Sequence, residues 1–152
     1  MQLSSPAFGD GGAIPDRFTC DGKNLSPPLA WDGRPFGARS FAVLCEDPDA
    51  PSGLFRHWAA YDIPIDLTGL PEGAALQAAA LGFLQGVNDF RQIGYGGPCP
   101  PRSHGQHRYR FRLLALSTDR LPVGDRPTFD DVEAAARPHL LAETVLTGLY
   151  ER

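Results

Sequence analysis

The chain has 152 residues, 42% of them hydrophobic, enough for a sizeable core and too many for wholesale disorder. Its 18 acidic residues outnumber 14 basic ones, giving a net charge of −4, which argues against nucleic-acid or anionic-membrane binding through a basic surface. No apolar run approaches the ~20 residues of a membrane span. The opening Met1-Gln2-Leu3-Ser4-Ser5-Pro6 has neither the basic stretch nor the apolar segment of a secretory leader, so the expected address is cytoplasmic.

The chain contains 17 glycines and 15 prolines, about a fifth of its length against a usual share of roughly 12%. They follow no period and interrupt clean apolar runs, so they cut the chain into short pieces and favour strands over long helices. A weak strand candidate surrounds Leu29 to Trp31. Ser40 to Glu46 is nearly all apolar, the pattern of a strand buried on both faces. His57 to Ile63 is aromatic-rich and stops at Pro64. Ala74 to Leu84 is a helix candidate weakened by Gly73, Gly82 and Gly86. Tyr109 to Leu116 alternates, with Tyr109, Phe111, Leu113 and Ala115 on one face and Arg108, Arg110 and Arg112 on the other.

Toward the C-terminus, Thr128 and Asp131 have capping-box spacing, with Asp in place of the usual Glu. Val132 to Arg137 is Ala-rich and helical by propensity. Pro138 ends that helix or opens the next. His139 to Thr147 continues with helical spacing up to Gly148. With no internal repeat and no break in composition, the expected organisation is a single β-rich α+β domain over residues 1–152.

Three cysteines are too few for a disulfide scaffold, and no His/Cys cluster has zinc spacing. Cys45 lies in the run Phe41-Ala42-Val43-Leu44-Cys45 and reads as a small buried hydrophobe. Cys20 and Cys99 sit in loop-like surroundings, either as free thiols or close to one another.

Three segments carry polar residues suited to chemistry. Asp47-Pro48-Asp49-Ala50-Pro51-Ser52 follows the buried strand, and its two prolines restrict the backbone, with either X-Pro bond a candidate for cis. That rigidity suits an ordinary Asp/Pro turn or a carboxylate held at a pocket floor. His57 stands beside Trp58, where a packed core histidine is the commoner outcome. Gly94-Tyr95-Gly96-Gly97-Pro98-Cys99-Pro100-Pro101 is either a braced loop or an anion-binding nest of backbone N–H groups. It is not a Walker A loop, which needs G-x-x-x-x-G-K-[ST], and it precedes a strand rather than opening a helix, unlike a dinucleotide-binding turn. If the strands near Asp47, His57 and His107 are neighbours, the three side chains meet at one edge of a sheet.

Those segments resemble the phosphatidylethanolamine-binding protein family, in its bacterial Raf-kinase-inhibitor-like branch. The resemblance rests on Phe18-Thr19-Cys20-Asp21-Gly22, Ser26-Pro27-Pro28-Leu29-Ala30-Trp31, Asp47-Pro48-Asp49-Ala50-Pro51, His57-Trp58, Gly86-Val87-Asn88-Asp89-Phe90, Gly94 to Pro101 and Gly105 to Phe111. It implies a mainly β fold, a large central antiparallel sheet packed on a smaller antiparallel one with short peripheral helices. It also implies a small anion pocket for phosphate or a phosphoethanolamine-like headgroup, lined by Asp47, Pro51, His57, Gly97, Pro98, Cys99, Pro101, His107 and Tyr109. No cofactor is implied, and related bacterial proteins suggest a homodimer. Cys99 stands where eukaryotic members tend to have Gly, which narrows the expected pocket mouth. Those members also carry a C-terminal helix over the pocket, which the ending Leu149-Tyr150-Glu151-Arg152 replaces only in part; Tyr150 is not assigned to the site.

The expected pocket works through histidine. Asp47 raises the pKa of a neighbouring imidazole and sets its tautomer, and the imidazolium then donates a charge-assisted hydrogen bond to phosphate. Backbone N–H groups near Gly97 and the Tyr109 hydroxyl complete the cage. Arg108 is turned away by strand alternation, toward Arg110 and Arg112 or into an ion pair. The expectation is a non-enzymatic binding and regulatory protein with an unidentified protein partner. A hydrolase using Asp47, His57 and His107 with Cys99 or an activated water is the alternative, and a divalent-metal site of Asp47, Asp49, His57 and His107 ranks lowest.

Overall fold

The computed structural model describes residues Met1–Arg152. Nine strands form two sheets: β1 (Gln2–Ser4), β2 (Gly12–Ala13), β3 (Leu29–Asp32), β4 (Ser40–Ala50), β5 (Gly53–Pro64), β6 (Gly69–Leu70), β7 (Leu84–Gln85), β8 (His107–Leu116) and β9 (Leu140–Tyr150). The larger sheet has the order β2-β9-β8-β4-β5-β7 and the smaller β1-β3-β6. All pairings are antiparallel except the short contact of β2 with β9. Two helices, α1 (Ala78–Leu81) and α2 (Phe129–Ala136), are peripheral, and no helix is long and apolar enough to cross a membrane.

β4 explains the layering. It lies between β5 and β8, so its backbone is paired on both sides, and both its faces are covered. Phe41, Val43 and Cys45 enter a core shared with Trp58, Phe111 and Leu113 and with Leu3, Leu29 and Trp31 of the smaller sheet. Ala42 and Leu44 face the other way, against Leu121, Phe129, Val132 and Ala136. A continuously apolar strand is what a central position between two layers requires. The alternation expected for β8 holds, with Arg110 and Arg112 reaching the buried Glu46 on the face opposite Phe111.

α2 begins as its sequence indicated. The Thr128 hydroxyl accepts from the Asp131 N–H, and the Asp131 carboxylate accepts from the Thr128 N–H. Pro138 lies in a 3-10 turn (Arg137–His139) and no second helix follows, because the expected helix over His139 to Thr147 is strand β9. Its inward set is Ala142, Thr144, Leu146, Gly148 and Tyr150, in which small residues hide the period of two. Gly148 is small because Ile14 and Phe8 already fill the space; an added Cβ would lie 2.4 Å from Ile14 Cγ1. Residues 74–84 form a 3-10 turn (Ala74–Leu76) and the single turn α1, closed by Gly82 at φ 87°.

The Asp-Pro segment also differs from expectation. It stays within the sheet, where Asp47 pairs with Phe55 and Ala50 with Gly53 around a register shift. Pro48 fits because the shift leaves no ladder bond for it to donate. Pro51-Ser52 makes the hairpin turn into β5, and every peptide bond is trans.

Candidate functional site

The convergence proposed from three separate segments is present. Asp47 and Ala50 come from the end of β4, Phe55 and His57 from β5, and His107 and Tyr109 from the start of β8. With Pro51, Ser52, Phe90, Cys99, Pro100 and Pro101 they line a half-open cavity of about 290 Å³. Its floor is polar and its walls are proline and phenylalanine. Asp47, His57, His107 and Tyr109 are each 3% exposed or less.

Asp47 is anchored at both oxygens. Oδ1 accepts the Asp49 N–H at 2.7 Å, and Oδ2 accepts His107 Nδ1–H at 2.7 Å. A carboxylate needs a donor, so this bond sets the His107 tautomer. The other His107 nitrogen, Nε2, is joined to Nδ1 of His104 on the outer loop. His107 therefore has no nitrogen left for a ligand, contrary to the expectation that it would donate to phosphate.

His57 is the open imidazole. Its Nδ1 lies 2.6 Å from the Gly96 carbonyl, which can only accept, so Nδ1 carries the proton. Nε2 is left on the cavity wall without a protein partner. Burial lowers the His57 pKa, opposed by the Gly96 carbonyl and by the negative field of Asp47. The expectation of a raised pKa is thus corrected for the histidine that faces the ligand space. Phe55, Phe90 and Tyr109 hold its ring, with centroids 4.9, 5.5 and 5.3 Å away. Burial, and then the Asp47 charge, push the Tyr109 phenol well above its ordinary pKa, so its hydroxyl remains a donor.

The glycine-proline loop divides. Cys99, Pro100 and Pro101 line the cavity, whereas Gly97 and Pro98 do not. The Gly97 N–H donates to Asn24 Oδ1 at 2.8 Å, and a Cβ on Gly97 would stand 2.2 Å from the Phe18 carbonyl. Gly97 is glycine because of this close approach to the Phe18–Asn24 loop, and its N–H is not available as an anion donor. Cys99 is bonded to Cys20, which settles the alternatives left open for those two thiols. The thiolate that the hydrolase alternative required of Cys99 is therefore absent.

Other assignments follow from the same contacts. Asp49 accepts from the Arg108 backbone N–H and guanidinium, which holds its pKa down at about 2 and draws it away from any metal set with Asp47. No group of three or more His, Cys, Asp or Glu side chains is placed to hold a metal ion. Tyr150, opposite His107 in the β8–β9 register, turns its hydroxyl to Asp16 and Asp21. Phe55, Phe90, Ala50 and Ser52 on the cavity lining and His104 behind His107 are site residues that the sequence reading does not assign. Phe90 is placed by Asn88, whose side chain accepts from Phe90 N–H and donates to the Gly94 carbonyl.

The family profile described as phosphatidylethanolamine-binding protein matches residues 4–151. The chain belongs to that family. It is 44% identical over 152 residues to a UPF0098 protein of Aquifex aeolicus, covering 100% of this chain and 89% of that one. A UPF0098 protein of Methanothermobacter thermautotrophicus is 50% identical over 154 residues, covering 100% and 99%. Among solved structures, Escherichia coli YbcL, described as a new member of the mammalian PEBP family, superposes with a TM-score of 0.93 at 34% identity, covering 99% and 98%. The family member CT736 of Chlamydia trachomatis, described as a putative PEBP homologue, gives 0.89 at 36% identity, covering 99% and 97%. The two-sheet architecture with short peripheral helices is thus that of the family.

Proposed function

We propose that this family member is a non-enzymatic binding protein whose cavity receives a phosphate or phosphate-ester group. The observation that carries the reading is the meeting of a free His57 Nε2 and the Tyr109 hydroxyl beside an anchored Asp47, on the lining of one cavity. His57 gains a proton as an anion arrives and then donates through Nε2, while Tyr109 donates from its hydroxyl. The apolar rim of Pro51, Phe55, Phe90 and Pro101 leaves room for the organic part of an ester. The disulfide at Cys99 favours binding over hydrolysis, because it removes the one sulfur nucleophile on the wall. Such a bond persists in oxidising compartments or inside hyperthermophiles, so a cytoplasmic address applies only where the chain stays oxidised.

Calorimetric titration of inorganic phosphate near pH 6 tests the reading. Removing one charge-assisted hydrogen bond costs ~1.5–3 kcal/mol, so His57→Gln is expected to weaken binding by a factor of ten or more. Tyr109→Phe is expected to weaken it severalfold. Wild-type affinity in both variants, or no binding to the wild type, would rule the site out.

A further inference from the structure

The cavity floor presents an acceptor as well as donors. Asp47 is 3% exposed and carries a carboxylate with about four lone-pair sites. The protein supplies Asp49 N–H to one oxygen and His107 N–H to the other, and the Tyr109 hydroxyl faces the same carboxylate; three donors against about four lone-pair sites still leave acceptor capacity on the cavity side. His57 Nε2, on the wall of the same cavity, is also an acceptor until it takes up a proton. No lysine or arginine lines the cavity to neutralise an incoming dianion.

An anion with acceptor oxygens alone meets this floor badly. It sets lone pairs and negative charge against the carboxylate, inside a space walled by Ala50, Pro51, Phe55 and Phe90, where screening is weak. An anion that still carries a proton fits both sides. Its P–OH donates to Asp47, and its remaining oxygens accept from Tyr109 O–H and from protonated His57. A phosphate monoester, with a second pKa near 6, exists in that singly protonated form close to neutrality. A phosphodiester and sulfate have no such proton.

We propose that Asp47 makes the cavity selective for phosphate groups that retain a P–OH, that is inorganic phosphate and phosphate monoesters, over phosphodiesters and sulfate. This rests on the anion-pocket reading above and narrows it. The consequence is chemical: an intact diacyl phospholipid headgroup, being a diester, is a poor occupant, and a free or protein-borne phosphomonoester is a good one.

The test uses four probes at pH 6 with the wild-type protein: inorganic phosphate, methyl phosphate, dimethyl phosphate and sulfate. Phosphate and methyl phosphate are expected to bind at least tenfold more tightly than dimethyl phosphate and sulfate. Asp47→Asn replaces one acceptor by an amide donor and is expected to close that gap, with sulfate gaining affinity while methyl phosphate loses it. Equal wild-type binding of all four probes would overturn the selectivity and leave the anion pocket standing. Binding of none would overturn both. If Asp47→Asn does not fold, the wild-type ranking still decides the matter, because methyl and dimethyl phosphate differ at this site chiefly in the proton.

Discussion

Removing the Cys20–Cys99 bond separates its two roles, one in the unfolded chain and one at the cavity wall. The cysteines are 79 residues apart in sequence, so the bond closes more than half of the chain into a loop. In the chain-entropy description a loop of that size contributes about 4.5 kcal/mol at 25 °C, within the ~2–5 kcal/mol lost when native disulfides are removed from small domains. At ~2–4 °C per kcal/mol for a chain of this length, the Cys20→Ser/Cys99→Ser variant should melt about 10–15 °C lower. The cavity itself should survive. Three hydrogen bonds still tie the same loops: Cys20 N–H to the Pro98 carbonyl, Gly97 N–H to Asn24, and the Tyr95 hydroxyl to the Phe18 carbonyl. Calorimetric melting and phosphate titration of the two proteins side by side check both parts. A melting point within about 3 °C of wild type would refute the loop-closure account. A loss of phosphate affinity beyond tenfold at unchanged fold would show that the bond, and not the hydrogen bonds, positions the wall.

Two further outcomes are expected. Because burial lowers the His57 pKa, the anion-free native state binds fewer protons than the unfolded chain just below pH 6.5. Stability should therefore fall as pH drops through that range, by at most about 1.4 kcal/mol per pH unit from this group. Urea denaturation at pH 5, 6 and 7 should show a steeper acid loss for wild type than for His57→Gln, and parallel curves would contradict the assignment. On the opposite face of the sheet, Arg112 joins three carboxylates, Glu46, Glu133 and Glu143, with Glu46 Oε1 at 2.8 Å. Arg112→Ala leaves those acids facing one another and should cost about 3 kcal/mol in denaturant unfolding. A loss under 1 kcal/mol would mean that water replaces the guanidinium at little cost.

The core strands were legible because burial leaves a local signature. A run such as Phe41 to Cys45 is apolar at every position only where both faces are covered, and the arginines of β8 alternate because one face is not. The Thr128–Asp131 box was equally local, since its two hydrogen bonds span three residues. β9 was misread because its inward positions are small. Gly148 is set by Ile14 and Phe8, more than a hundred residues earlier, and no nearby residue reports that contact.

For the site, sequence alone determined which residue types were available: a carboxylate leading into a proline-rich turn, two histidines, a tyrosine and a loop rich in glycine and proline. Tertiary structure alone decided their roles. Both imidazoles came to one cavity, yet His107 is saturated by Asp47 and His104, while His57 keeps a free nitrogen. Gly97 turns to Asn24, and Cys99 finds Cys20. A side chain's chemistry is written in its type, but its remaining hydrogen-bonding capacity is what neighbours distant in the chain leave unused.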